Sequence, residues 1–346
     1  CNLMKALILK ESGGPLVLED VPAPKPGPGE VLIRVRACGL GLTLVWNRTG
    51  RSGTSGKLPR IIGHEIAGDV TEAGPNVEGF KPGDRVNVYY YLICGYCRWC
   101  KRAREDLCDN QKGHVGRYND GGLAEYVKLP AINLCLLPPE ISYIDAAVTA
   151  DAIATPVHVL RARADLQPGE TVLVVGAGGG VGIHMVQMAK FLGARVIAVD
   201  ISAEKLALAK QIGADEVINS RERSFDKEAE RLTNGRGAGV VVEMAGLPET
   251  LEKSLGSLGK GGRLVLVGSY DGDAALPIKH NSLRGEGVVT RSQYCARHEL
   301  EGAVQLVAQG RIRPTVTRIC KLEEADAVLR SIERMELAGR ACVVLP

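Results

Sequence analysis

The run Gly176-Ala177-Gly178-Gly179-Gly180-Val181-Gly182 is the part of this sequence best suited to hold an anion. A diphosphate needs backbone N–H donors at close range and the positive end of a helix dipole, and only residues without a Cβ let the chain approach that near. The run follows a short β-branched segment, Thr171–Val175, of the kind found in strands buried on both faces. Beyond Gly182 the period becomes helical: Met185, Met188, Ala189 and Leu192 fall at i, i+3, i+4 and i+7 until Gly193 stops the stripe. A second apolar strand, 195–199, leads into Asp200, 18 positions beyond Gly182. Together these parts form a dinucleotide fingerprint, although the spacing G-x-G-x-x-G fits only with Ala177 in the first position. A carboxylate closing the second strand accepts both ribose hydroxyls of the adenosine half and repels a 2′-phosphate, so NAD(H) is favoured over NADP(H). The competing reading is a glycine-rich turn in an α/β domain that binds no nucleotide.

The second concentration of chemistry is Cys94, Cys97, Cys100 and Cys108, spaced C-x2-C-x2-C-x7-C. Four thiolates this close can wrap one tetrahedral Zn²⁺ in a closed, structural site with no position for substrate. An iron–sulfur cluster and four reduced bystanders are the alternatives.

Other residues must position these groups, and 346 residues suffice for about two domains. Charged residues make up 24% with signs interspersed and a net charge of +3, which leaves no electrostatic footprint for nucleic acid or an anionic membrane. The apolar segment 4–9 is too short for a secretory signal, and ten cysteines then read as reduced thiols and metal ligands, so a cytoplasmic location is expected. Up to about residue 150 the texture is β: segments 4–9, 16–20, 31–37, 69–71, 85–91 and 124–127 lie between glycine and proline turns. Past Asp165 strand and helix alternate, with helices expected over 205–212 and 247–258 and strands over 216–218, 240–243 and 263–267. That alternation predicts a doubly wound parallel sheet. From about Ser292 a helix, 300–309, and a final strand, 341–345, follow, and the strand can return to the first domain.

This order of parts resembles the medium-chain dehydrogenase/reductase family, and its zinc-containing alcohol dehydrogenases in particular. The resemblance is carried by Gly63-His64-Glu65-Ile66-Ala67-Gly68, Gly74, Lys81-Pro82-Gly83-Asp84-Arg85-Val86, the cysteine lobe, the glycine loop and the segment 259–268. It implies an α/β protein with a GroES-like catalytic domain over 1–151 and 292–346, a zinc lobe at 94–108, and a Rossmann coenzyme domain over 152–291. It also implies a small-molecule substrate, NAD as cofactor and one structural zinc. A homodimer or homotetramer would be paired along the edge near 263–267. A second, catalytic zinc would take His64 and Asp151, with Glu65 as an auxiliary ligand. On the cofactor the resemblance sets Lys205 at the adenosine ribose, Arg340 at the pyrophosphate, and Thr155 and Gly268 at the nicotinamide. His114, His158, His184, His280 and His298 are expected to be surface or satisfied core residues.

One segment departs from the family pattern Cys-Gly-x-Cys-x-Thr/Ser-Asp. Here it reads Cys38-Gly39-Leu40-Gly41-Leu42-Thr43-Leu44. Gly41 stands at the liganding thiolate, Leu44 at the Asp that orients the liganding His, and Trp46 at the proton-relay His; Cys38 is a substitute ligand only if the strand shifts register. Three activities are therefore expected to compete. The first is hydride transfer between NAD(H) and an alcohol or carbonyl with an altered or absent catalytic zinc, Thr43 passing the proton. The second is zinc-free reduction of an enone, enoyl thioester or quinone, Thr43 steadying the oxyanion. The third is NAD(H) binding without catalysis.

Overall fold

The structure, a computed structural model, describes residues 3–51, 57–268, 278 and 283–346; His280 lies outside them. Its strands run β1 (Leu3–Leu9), β2 (Leu16–Pro22), β3 (Glu30–Leu40), β4 (Arg60–Ile61), β5 (Glu65–Ala73), β6 (Arg85–Val88), β7 (Tyr126–Pro130) and β8 (Leu134–Leu136). They continue as β9 (Thr171–Val175), β10 (Arg195–Asp200), β11 (Glu216–Asn219), β12 (Ala238–Glu243), β13 (Leu258–Leu266), β14 (Val288–Arg291), β15 (Val316–Cys320) and β16 (Arg340–Val344). Two compact units result, 1–154 with 295–346, and 155–294. No helix among the described residues is long and apolar enough to cross a membrane.

The unit 155–294 holds a six-stranded sheet in the order β11-β10-β9-β12-β13-β14, every pair parallel. β9 lies at its centre because Val172, Leu173, Val174 and Val175 are buried on both faces. Each such side chain contributes about 1.5–3 kcal/mol relative to exposure. Five glycines in one loop forfeit about 0.5–1 kcal/mol each, so the strand alone offsets the loop it carries. β13 lies between β12 and β14, so among the described residues the sheet edge on this side is β14, in the segment that follows 263–267.

The other unit contains a three-stranded sheet, β2-β1-β4, and a seven-stranded sheet, β15-β16-β3-β5-β6-β8 with β7 added on β3. The expected alternation in 31–37 is met by Val31, Ile33, Val35 and Ala37, all buried. β16 enters between β15 and β3, parallel to the first and antiparallel to the second. Where no regular element was expected, a helix spans Leu42–Thr49, its N-cap Gly41 extended at φ −148°.

Candidate functional site

The glycine loop is built by neighbours on both sides. Gly176 has φ +83°, a conformation that favours glycine, and the N–H groups of Gly176 and Ala177 donate to Val199 O at 2.9 and 3.0 Å. A Cβ on Gly178 would fall closer than 3.0 Å to Lys205 Cβ, and one on Gly182 equally close to Gly176 O. Those two glycines are thus demanded by packing. Gly179 is different: a Cβ there would meet only Gly176 O, at 3.6 Å. No described residue requires it to be glycine, so its bareness leaves room for an approach from outside, as a diphosphate would need. Gly180 O accepts from His184 Nδ1 at 2.7 Å, and Val181 precedes the helix Gly182–Phe191.

Asp200, at the carboxyl end of β10, is 8% exposed. Its carboxylate accepts from Gly178 N at 2.9 Å, Ile201 N at 2.8 Å and Ser202 N at 3.3 Å, so the acid also pins the loop. Lys205 is buried in the first turn of the helix Ala203–Gln211, its stem against Gly178. Gly268 N donates to Glu243 O at 3.1 Å, and Thr155 is buried. Sequence reasoning missed Glu243. Its buried carboxylate takes the N–H of Ala245 at 3.0 Å and of Gly246 at 3.2 Å, with Thr250 Oγ1 at 2.8 Å. An acid at the end of an otherwise apolar strand was the available signal.

In the cysteine lobe, the sulfurs of Cys94, Cys97, Cys100 and Cys108 lie within 4.8 Å of one another. Three separations are 3.9, 3.6 and 4.0 Å. A tetrahedral ion with Zn–S of about 2.3 Å would set sulfurs about 3.8 Å apart. The residues fit a structural zinc. Burial raises Cys94, but N–H groups of Tyr96 and Cys97 outweigh it and hold the thiol down to about 6; burial pushes Cys100 up to about 12.

The third group gathers residues far apart in sequence. His64, Glu65 and Asp151 offer ligand atoms within 4.8 Å of one another, all buried. Glu65 opens β5 with His64 just before it, and Asp151 lies in a widened turn, Thr149–Ile153, inside a longer helical run. Such turns recur at functional sites. His64 Nε2 donates to Asp151 Oδ2 at 3.3 Å and stands 4.0 Å from Glu65 Oε1. The segment that carries His64 is tightly held: Gly63 has φ +108°, and Gly122 N donates to Gly63 O at 2.9 Å.

Arg340 is 3% exposed and lies against this group. Its Nε lies 3.2 Å from Glu65 Oε2, its Nη2 pairs with Glu65 Oε1, and Nη2 is 3.8 Å from Asp151 Oδ2. Burial lowers the guanidinium to about 10, still charged at neutral pH. Cys38 stays out of the ligand group, and burial first, then Cys342, hold its thiol well above the usual range. Leu44 is core, Thr43 is half-buried in the first turn of Leu42–Thr49, and the Trp46 indole N–H is buried with no hydrogen-bond partner among the described residues.

Sequence reasoning also missed the aromatic wall. Tyr90 stands edge-on to His64 at 4.6 Å, and Tyr91 stacks on His114 at 4.2 Å. Three consecutive tyrosines in a chain with 4% aromatics were the signal. His158 and His184 are satisfied within the core, His114 is half-buried and His298 exposed, none of them among the grouped ligands.

Residues 27–139 match the alcohol dehydrogenase GroES-like domain, and residues 180–309 match the zinc-binding dehydrogenase family. An NAD-dependent alcohol dehydrogenase of Sulfolobus acidocaldarius is 36% identical, over 97% of this chain and 98% of its own. The acryloyl-coenzyme A reductase of Metallosphaera sedula is 34% identical, over 97% and 98%. A crystal structure of an NAD-dependent alcohol dehydrogenase superposes with a TM-score of 0.92 at 34% identity, covering 99% of this chain and all of that one. The chain therefore belongs to the zinc-containing alcohol dehydrogenases of the medium-chain dehydrogenase/reductase family and is an oxidoreductase.

Proposed function

We propose that this oxidoreductase uses NAD(H) and reduces a carbon–carbon double bond conjugated with a carbonyl, without a catalytic zinc. The observation that carries this reading is the donor set around His64. Gly41 supplies no thiolate, Glu65 is engaged by Arg340, and the two remaining donors, His64 and Asp151, are bonded to each other at 3.3 Å. Without a Lewis acid, an isolated alcohol lacks the means to become an alkoxide near neutral pH. A conjugated acceptor is already activated.

When bound, the cofactor supplies the hydride that adds to the β-carbon, while the π electrons move toward the carbonyl oxygen and the α-carbon takes a proton. The chain's own residues supply the rest. Asp200 selects the unphosphorylated adenosine ribose, the glycine loop receives the diphosphate, and Lys205 lies against that loop. Thr43 and Trp46, three apart on one helix face, offer an O–H and a spare N–H for the developing oxyanion. The acryloyl-coenzyme A reductase among the relatives supports this acceptor class.

The second reading is alcohol–carbonyl interconversion, favoured by the close approach of His64, Glu65 and Asp151. A rate comparison decides between them. NADH oxidation is followed with enones and enoyl thioesters against matched saturated ketones and aldehydes, with and without added zinc. Turnover confined to the conjugated acceptors and indifferent to zinc is expected. Zinc-stimulated alcohol oxidation, lost in His64→Ala, would overturn the proposal.

A further inference from the structure

We infer that Arg340 is the resident cation of the His64–Glu65–Asp151 group, and that Gly41 is glycine in order to admit it, so that the second metal position of the fold is closed in this chain. The inference concerns what occupies this position and does not depend on which acceptor the enzyme reduces.

Geometry carries the argument. A Cβ placed on Gly41 would have Nη1, Cζ and Nη2 of Arg340 as its three nearest heavy atoms, all closer than 3.0 Å. The guanidinium thus lies against the face where a liganding side chain at this position would project. Gly39 makes the matching allowance on the other side, because a Cβ there would fall within 3.0 Å of Glu65 Oε2. Two bare positions, Gly39 in β3 and Gly41 just past its end, leave room for one buried ion pair between β5 and β16.

Charge gives the same answer. Glu65 is fully buried and Asp151 is 6% exposed, and two carboxylates taken out of water require a nearby positive charge. In a metal site that charge is the dication. Here it is a guanidinium whose planar fork faces both oxygens of Glu65 and approaches Asp151. A metal entering beside it would be repelled by Arg340 and would have to displace it from Glu65. A cysteine at Gly41 would have to push the guanidinium off Glu65 before its sulfur could act as a ligand.

The test counts metal in the full-length protein. Purified chains are incubated with excess Zn²⁺, desalted and assayed for zinc per chain, with circular dichroism reporting the fold. Wild type is expected to hold one equivalent, in the cysteine lobe, and Gly41→Cys also one. Gly41→Cys combined with Arg340→Ala is expected to hold two, falling to one when His64→Ala is added. A wild-type count of two that drops to one in His64→Ala would overturn the inference, and this arm needs no variant at Arg340. A count of two in Gly41→Cys alone would also overturn it, as would a folded Gly41→Cys/Arg340→Ala protein that holds only one. Because no turnover is read, a failure here is separable from a failure of the proposed reaction.

Discussion

Replacing Asp200 tests the cofactor half of the molecule, because its carboxylate has two separable tasks. It holds Gly178 N at 2.9 Å and Ile201 N at 2.8 Å, and it stands at the carboxyl end of β10 where an adenosine ribose is expected. Hydrogen bonds to a charged acceptor are worth about 1.5–3 kcal/mol each, so Asp200→Ala is expected to cost about 3–6 kcal/mol in the unit 155–294. For a unit of that size the loss lowers its Tm by about 10–20 °C. Asp200→Asn keeps an acceptor oxygen and is expected to recover much of that loss while removing the charge. At an effective dielectric of about 20, a unit charge about 6 Å from a 2′-phosphate is worth about 3 kcal/mol. The Asn variant should therefore shift the ratio of NADPH to NADH affinity by about 100-fold toward NADPH. Fluorescence titration with both cofactors, beside a thermal melt, measures the two tasks separately. If Asp200→Asn melts near wild type and the ratio moves by less than about 3-fold, the carboxylate does not select the cofactor.

The two kinds of glycine in the loop predict opposite behaviour. Gly182→Ala forces its Cβ against Gly176 O and should unsettle the fold, whereas Gly179→Ala should melt as wild type and weaken NADH binding about 10-fold or more. Unchanged affinity in Gly179→Ala would remove the argument for a diphosphate there. His184 is fully buried, and burial lowers its pKa from 6.5 to about 4 despite the bond to Gly180 O. A depressed histidine stabilises fully above pH 6.5, and that contribution, about 3 kcal/mol, is lost as pH falls toward 4. Burial, with Arg117 and His64 adding to it, gives His114 the same sign in the other unit. Urea unfolding at stepped pH should show a shallower acid slope in His184→Leu, and equal slopes would contradict the assignment. Cys97→Ser should empty the lobe of zinc and lower the melting temperature of its unit, with NADH affinity retained; normal zinc content would refute the ligand set.

How far the sequence could be read depended on the range of the interactions. β9, the glycine loop and Gly182–Phe191 were legible because strand, turn and helix are each dictated by residues within a few positions. The cysteine lobe was legible for the same reason, its four sulfurs coming from 15 residues. Leu42–Thr49 was not, because β-branched and aromatic residues are weak helix formers and its register is set by tertiary packing of Leu44 and Val45. Asp151 could be linked to His64 by resemblance, yet the widened turn that delivers it leaves no mark in the residue types. Arg340 was the largest surprise, since its partner Glu65 lies 275 positions away and only the insertion of β16 beside β3 brings them together.

That insertion also governs the order in which a growing chain can become native. The residues 155–294 form a continuous stretch and can close their parallel sheet while the ribosome is still adding the remainder. The seven-stranded sheet cannot do the same, because one of its inner strands, Arg340–Val344, follows the whole of 155–294 in the chain. Until then β3 presents an open edge, the state most prone to pairing with the wrong chain. A nascent chain stalled before residue 340 should therefore show protease resistance in 155–294 and cleavage within β3 and β5. Removing the strand Arg340–Val344 should leave 155–294 able to bind cofactor while the seven-stranded sheet lacks an inner strand.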